Sequence, residues 1–162
     1  MNPSRHCVID IEASGLGRHS YPIEVGFVRQ DGHAWCSLVL PQADWQHWDP
    51  AAQQLHGIAR ASLLQHGRPA REVAQRLNTD LAGCTAYCDG WAHDYSWLGA
   101  LFEAADMTPH FRLESVRQLL DEAHLQQLGA LRLEAFEVLG IARHRASSDA
   151  LALQWALQRL TS

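Results

Sequence analysis

The sequence has 162 residues, 47% of them hydrophobic, and a formal net charge of −5 from 13 basic and 18 acidic side chains. That length and apolar content suit one domain over residues 1–162 with a single core, and argue against disorder or a two-domain plan. Every basic residue is Arg, which excludes Lys nucleophiles, Schiff bases and a Walker phosphate loop; an acidic chain also lacks the broad basic face of a duplex binder, so charge alone points to a small-molecule enzyme.

Residues 6–12, His-Cys-Val-Ile-Asp-Ile-Glu, place Cys7, Ile9 and Ile11 on one face and Val8, Asp10 and Glu12 on the other. This is the alternation of a central strand ending in two carboxylates. Ala13-Ser14-Gly15-Leu16-Gly17 reads as a turn, and strands follow at 22–29 and 33–40, joined by a hairpin signal at Asp31-Gly32. Past Pro41, a loop carrying Trp45 and Trp48 leads into short helical pieces from Asp49-Pro50, where Asp caps and Pro takes the first helical position.

Arg68-Pro69 opens an amphipathic helix with Val73, Leu77 and Leu81 on one stripe, closed by Gly83. Residues 84–88 form a short apolar strand, and Asp94 to Ala105 a helix with Leu98, Leu101 and Phe102 inward. A fifth strand is expected near 111–113, then helical periodicity over 114–127 and 129–139, and a last helix from Ser147 to Leu160 turning Leu151, Trp155 and Leu160 inward. The order implies an α/β domain with a mixed sheet.

No apolar run is long enough to span a bilayer, and the first strand begins too early for a secretion signal, so no membrane partner and a cytoplasmic location are expected. Cys7, Cys36, Cys84 and Cys88 lack disulfide-framework or CxxC spacing and read as free thiols. Cys84, Cys88 and His93 would make only a partial zinc set.

Asp10 and Glu12 lie two apart on a strand, so both carboxylates point to one side of the sheet. At about 5 Å and an effective dielectric of about 20, such a like-charge pair costs on the order of 3 kcal/mol. A shared proton or a hard divalent cation offsets that cost; two solvated carboxylates at a strand end are the plainer alternative.

The turn completes Asp10-Ile-Glu-Ala-Ser-Gly-Leu16, and Ile23-Glu24-Val25-Gly26 follows in the next strand. Near the last helix stands His144-Arg-Ala-Ser-Ser-Asp149-Ala150. These two segments resemble the first and third motifs of the DEDD superfamily of 3′-to-5′ exonucleases, in the branch with a histidine base that includes polymerase proofreading subunits and RNase T. The second motif is imperfect: relatives read His-Asn-x-x-Phe-Asp, whereas here Gly90 replaces the Asn and His93 the aromatic. Asp94 is favoured over Asp89 as its acid, because Asp94 opens a helix and Leu98 follows one turn later. His56-Gly57-Ile58 resembles a further segment of these relatives.

The resemblance implies an RNase H-like α/β fold, with a central mixed five-stranded sheet, strand 2 antiparallel, flanked by helices. It implies that Asp10, Glu12, Asp94 and Asp149 hold two Mg²⁺ or Mn²⁺ ions, Asp10 bridging them, and that His144 is the general base. The reaction would release nucleoside 5′-monophosphates from the 3′ end of single-stranded DNA or RNA. Ala13, Ser14 and Leu16 would meet the terminal nucleotide, Leu16 as a wedge. His56, Trp91, His93 and Tyr95 are candidate substrate contacts, and Arg143 and Arg145 candidate phosphate ligands. Trp97 shares a helical face with Leu101 and reads as a core or rim aromatic.

Two bound divalent cations would supply about +4 against the chain's deficit. Longer nucleic-acid engagement would call for a polymerase or another partner protein. Two further readings stay open: a nucleic-acid-binding accessory module of the same fold with weakened chemistry, which the altered second motif favours, and a small-molecule enzyme such as a zinc hydrolase, for which no HExxH cluster exists.

Overall fold

A computed structural model describes residues 5–162. Its strands are β1 (Cys7–Ala13), β2 (Pro22–Val28), β3 (Ala34–Leu38), β4 (Thr85–Cys88) and β5 (Arg112–Ser115). Its helices are α1 (Pro50–His56), α2 (Arg60–His66), α3 (Ala70–Asp80), α4 (Trp91–Ala105), α5 (Glu122–Leu139) and α6 (Ala146–Leu160), with a 3₁₀ turn at Val116–Gln118. The strands form one mixed sheet in the order β3-β2-β1-β4-β5. β2 runs antiparallel to both neighbours, whereas β1, β4 and β5 are mutually parallel. This is the five-stranded sheet with an antiparallel second strand that the sequence implied.

The alternation in β1 decides the layering. Cys7, Ile9 and Ile11 face a core filled by Val73 and Leu77 of α3 and by Leu98, Leu101 and Phe102 of α4. Val8 faces the opposite core, with Val28 of β2, Leu128 of α5 and Leu153 and Leu157 of α6. Fully burying each such side chain contributes about 1.5–3 kcal/mol, so both sheet faces are committed to helices. A third cluster of Tyr21, Ile23, Ile58 and Leu63 anchors the loop and short helices that follow β3. No described helix is long and apolar enough to cross a membrane.

Three expectations are corrected. β5 extends to Ser115, with Glu114 and Ser115 opposite Tyr87 and Cys88, so sheet pairing overrides the helical periodicity read from 114 onward. α5 begins instead after Asp121, which caps it by accepting from His124 N at 2.9 Å, and runs unbroken through Gly129. On α6 the buried stripe is Ala146, Ala150, Leu153, Ala156 and Leu157, while Leu151, Trp155 and Leu160 are only half-buried at its edges. The stripe opens on small side chains because the helix start lies so close to the sheet: a Cβ on Gly26 of β2 would stand 2.6 Å from the Ala146 carbonyl carbon and the Ser147 nitrogen.

Candidate active site

The C-terminal end of β1 projects Asp10 and Glu12 from the face opposite Ile9 and Ile11, toward the first turn of α6. Asp149 reaches back from that turn, and one carboxylate oxygen from each of Asp10, Glu12 and Asp149 lies within 4.8 Å of the others. Asp94, in the first turn of α4, is buried beside Asp10 and near the Cys88 thiol. Asp89 is turned outward instead, with its Oδ2 2.6 Å from Arg132 NH1. Cys84, Cys88 and His93 form no ligand cluster among the described residues.

A buried glutamate holds α6 in register with the sheet. Glu24 of β2 is 2% exposed, pairs across the strands with Glu12, and accepts from Arg145 at 2.6–3.2 Å and from the Ala146 backbone N–H at 2.8 Å. Glu24 therefore caps the helix that carries Asp149, and its charge is matched by an Arg and a helix N-terminus. The loop before α6 is closed by His144 N donating to Asp149 Oδ1 at 3.0 Å. His144 itself has φ 62°, a left-handed conformation that costs a non-glycine residue of the order of 1–3 kcal/mol and marks a position the surrounding structure imposes.

Crowding shapes the acids' electrostatics. Burial, then repulsion from Asp94, Glu12 and Asp149, raises Asp10 well above the ordinary carboxylate range. Burial and then repulsion from Asp149 push Glu12 up to about 8, and burial pushes Asp94 up to about 7. Asp149 is also raised, chiefly by burial. Asp10 Oδ2 is buried and has no hydrogen-bond partner in the protein. An all-oxygen donor set whose members repel one another, with one buried oxygen unpartnered, fits a hard divalent cation.

Two cavities flank the acids and share His144. One, of about 340 Å³, is lined by Glu12, Ala13, Leu16, Leu55, His56 and Trp97 among others; the second, of about 390 Å³, is lined by Arg132, Phe136, Arg143 and Asp149. A third cavity, of about 460 Å³ around Phe102, Asp106 and His110, lies at the far end of α4. It gathers none of the predicted residues.

Around the first cavity, Ala13 contributes to the wall and Leu16 is exposed at the mouth. His56 is buried; its Nδ1 accepts from Ile58 N at 3.0 Å, which assigns the proton to Nε2, a buried donor with no protein acceptor. Ser14 departs from the substrate-contact expectation. It is fully buried, its Oγ sits 2.9 Å from His47 Nδ1 and accepts from Tyr21 N, and its own N–H donates to Tyr21 O, so its polar groups are engaged in the fold. Arg145 likewise gives its guanidinium to Glu24.

Trp91 and Tyr95 are exposed on α4 and stack at 4.8 Å, and His93 stacks on Trp97 at 5.4 Å. Trp97 is half-buried, packed against the core on one side and lining the first cavity on the other; its Nε1 donates to Ser20 Oγ at 2.9 Å. Glu24, Leu55 and Arg132 also border the acids, and none of them carries a predicted role. Glu24 had a signal, an acid in an otherwise apolar central strand; Leu55 and Arg132 had none, because nothing local distinguishes them on their helices.

The fold is shared with solved exonuclease I structures. Over 98% of this chain it superposes on Escherichia coli exonuclease I in complex with a dT13 oligonucleotide, with a TM-score of 0.73 and 15% identity. The same enzyme in complex with a dA16 oligonucleotide matches over 93% with a TM-score of 0.69 and 16% identity. Exonuclease I from Methylocaldum szegediense matches over 96% with a TM-score of 0.67 and 16% identity. The chain spans about two fifths of the length of those structures. No protein-family model and no curated protein sequence matches it.

Proposed function

We propose that this chain is a divalent-cation-dependent 3′-to-5′ exonuclease of the branch that uses a histidine base, acting on the 3′ end of single-stranded DNA or RNA. The observation that carries the reading is the convergence of Asp10, Glu12 and Asp149 at one strand end, with Asp94 beside them and His144 between two cavities. The single-stranded oligonucleotides in the exonuclease I complexes support the substrate class.

Asp10, Glu12, Asp94 and Asp149 are the residues that would hold the two divalent cations, Mg²⁺ or Mn²⁺. Bound there, the ions supply positive charge at the reacting phosphate and lower the pKa of water. The apolar cavity of Leu16, Leu55 and Trp97 takes the terminal nucleoside, with Leu16 against the last base and the His56 Nε2 proton as a fixed donor. His144, whose backbone N–H is tied to Asp149 and which lines both cavities, removes the proton of the attacking water. The stacked pair Trp91 and Tyr95 offers a platform for bases upstream of the end, at about 1–3 kcal/mol per stacked base.

The test is stepwise shortening of 5′-labelled single-stranded DNA and RNA oligonucleotides with Mg²⁺ or Mn²⁺. Asp10→Ala is expected to abolish shortening. His144→Asn, chosen because Asn tolerates the left-handed backbone, should lower kcat about 10²-fold or more with little change in Tm. Intact oligonucleotides of both sugars under both metals would instead support the binding-module reading.

A further inference from the structure

The second cavity contains a cation that the nuclease reading leaves unused. Arg132 reaches from α5, with its side chain 25% exposed, and lines that cavity beside His144 and Asp149. Its positive charge is felt by Asp10, Asp94 and Asp149, favouring the ionised form of each. It is bonded to none of these three acids. Its NH1 instead meets Asp89 Oδ2 at 2.6 Å, and its Nε is a buried N–H with no protein acceptor.

Asp89 stands in the turn between β4 and α4, one residue past Cys88, so the contact ties the Asp94 element to α5 across the mouth of the site. A guanidinium that balanced the carboxylates structurally would bond to them directly. Held at their edge by an outside acid, it keeps the planar fork of N–H donors that suits a phosphate. Arg143, which lies over the Phe136 ring, adds a second positive charge to the same cavity wall.

We propose that Arg132 is a catalytic residue that binds the phosphate being cleaved, and that Asp89 is the positioning residue that aims it. The proposal rests on the nuclease reading and deepens it by giving the second cavity to the phosphate and the strand leading to it. A fixed cation at that point stabilises charge that grows on the phosphate oxygens, with no protein reorganisation during the reaction. The same cation opposes divalent ions entering the acid cluster, so its removal should move catalysis and metal affinity in opposite directions.

The experiment compares wild type, Arg132→Gln, Arg132→Lys, Asp89→Asn and Asp89→Glu. Steady-state shortening of a single-stranded oligonucleotide is read at saturating Mn²⁺, and Mn²⁺ binding without nucleic acid is read by titration calorimetry. Arg132→Gln is expected to lower kcat at least tenfold while tightening Mn²⁺ binding severalfold. Arg132→Lys should keep wild-type Mn²⁺ affinity and recover part of kcat. Asp89→Asn should lower kcat with KM nearly unchanged, and Asp89→Glu should restore it.

A structural role alone would weaken Mn²⁺ binding in Arg132→Gln as the α5 tether is lost. That result, or a kcat within twofold of an active wild type, overturns the role of Arg132. An Asp89→Asn variant indistinguishable from wild type overturns the positioning role. A wild type inert on every oligonucleotide overturns the nuclease reading, and with it the phosphate contact, while calorimetry still reads the charge relation between Arg132 and the acids.

Discussion

Asp10, Glu12, Asp94 and Asp149 all have carboxyl pKa values raised by burial, Glu12 to about 8 and Asp94 to about 7. In the unfolded chain such carboxyls titrate near pH 4, at roughly their model values. Between about pH 4 and 8 the folded, cation-free protein therefore binds more protons than the unfolded chain, and its stability falls as pH rises. Thermal melts in chelator are expected to show Tm declining from about pH 5 to 8, the decline shrinking in Asp10→Asn and disappearing with excess Mn²⁺. A Tm that rises across that window would contradict the arrangement of the acids. At this scale the acids were legible by residue type and spacing. Which of them would keep a proton was not, because that depends on burial by elements distant in sequence.

Placement of α6 against the sheet is the element-scale event on which the site depends. Glu24 caps its first turn and Gly26 lets its backbone approach β2, and together they bring Asp149 to Asp10 and Glu12. Gly26→Ala puts a methyl 2.6 Å from the helix backbone, so the helix start must shift. The expected cost is about 1–3 kcal/mol, roughly 2–10 °C in Tm, together with a loss of Mn²⁺ affinity as Asp149 moves. Gly99→Ala is the contrasting case: its new methyl in α4 meets nothing within 4 Å, and helix propensity predicts a Tm equal to or above wild type. Equal effects at the two glycines would refute the close-approach argument. The alternation of β1 made its two faces legible in sequence, but the stripe of α6 was not, since its start carries the small Ala146 and Ala150 against β2 and turns the face toward Leu153 and Leu157 and away from Leu151 and Trp155.

Over the whole molecule, a formal charge of −5 with no Lys leaves few cations for a nucleic-acid backbone. Arg145 is bound to Glu24 and Arg76 to Asp80, which removes two more from general phosphate contact. Oligonucleotide binding should then depend on divalent ions and only weakly on monovalent salt. For His144→Asn with Mn²⁺, fluorescence anisotropy is expected to give a log–log salt slope of about −1 to −2, at roughly 0.7 per neutralised phosphate, and at least tenfold weaker binding in chelator. A slope steeper than about −4 would mean that a basic face engages the strand.

The sequence by itself determined the order of strands and helices, the two faces of β1 and the identity of the acids, because periodicity and short motifs are local properties. Asp94 over Asp89 was already favoured by its place at a helix start; tertiary structure alone decided that Ser14 and Arg145 serve the fold, and that Glu24, Trp97 and Arg132 surround the acid cluster. Those assignments depend on which segments meet across long separations in the chain. Side-chain roles of that kind are set by packing and charge between elements, and no local pattern records them.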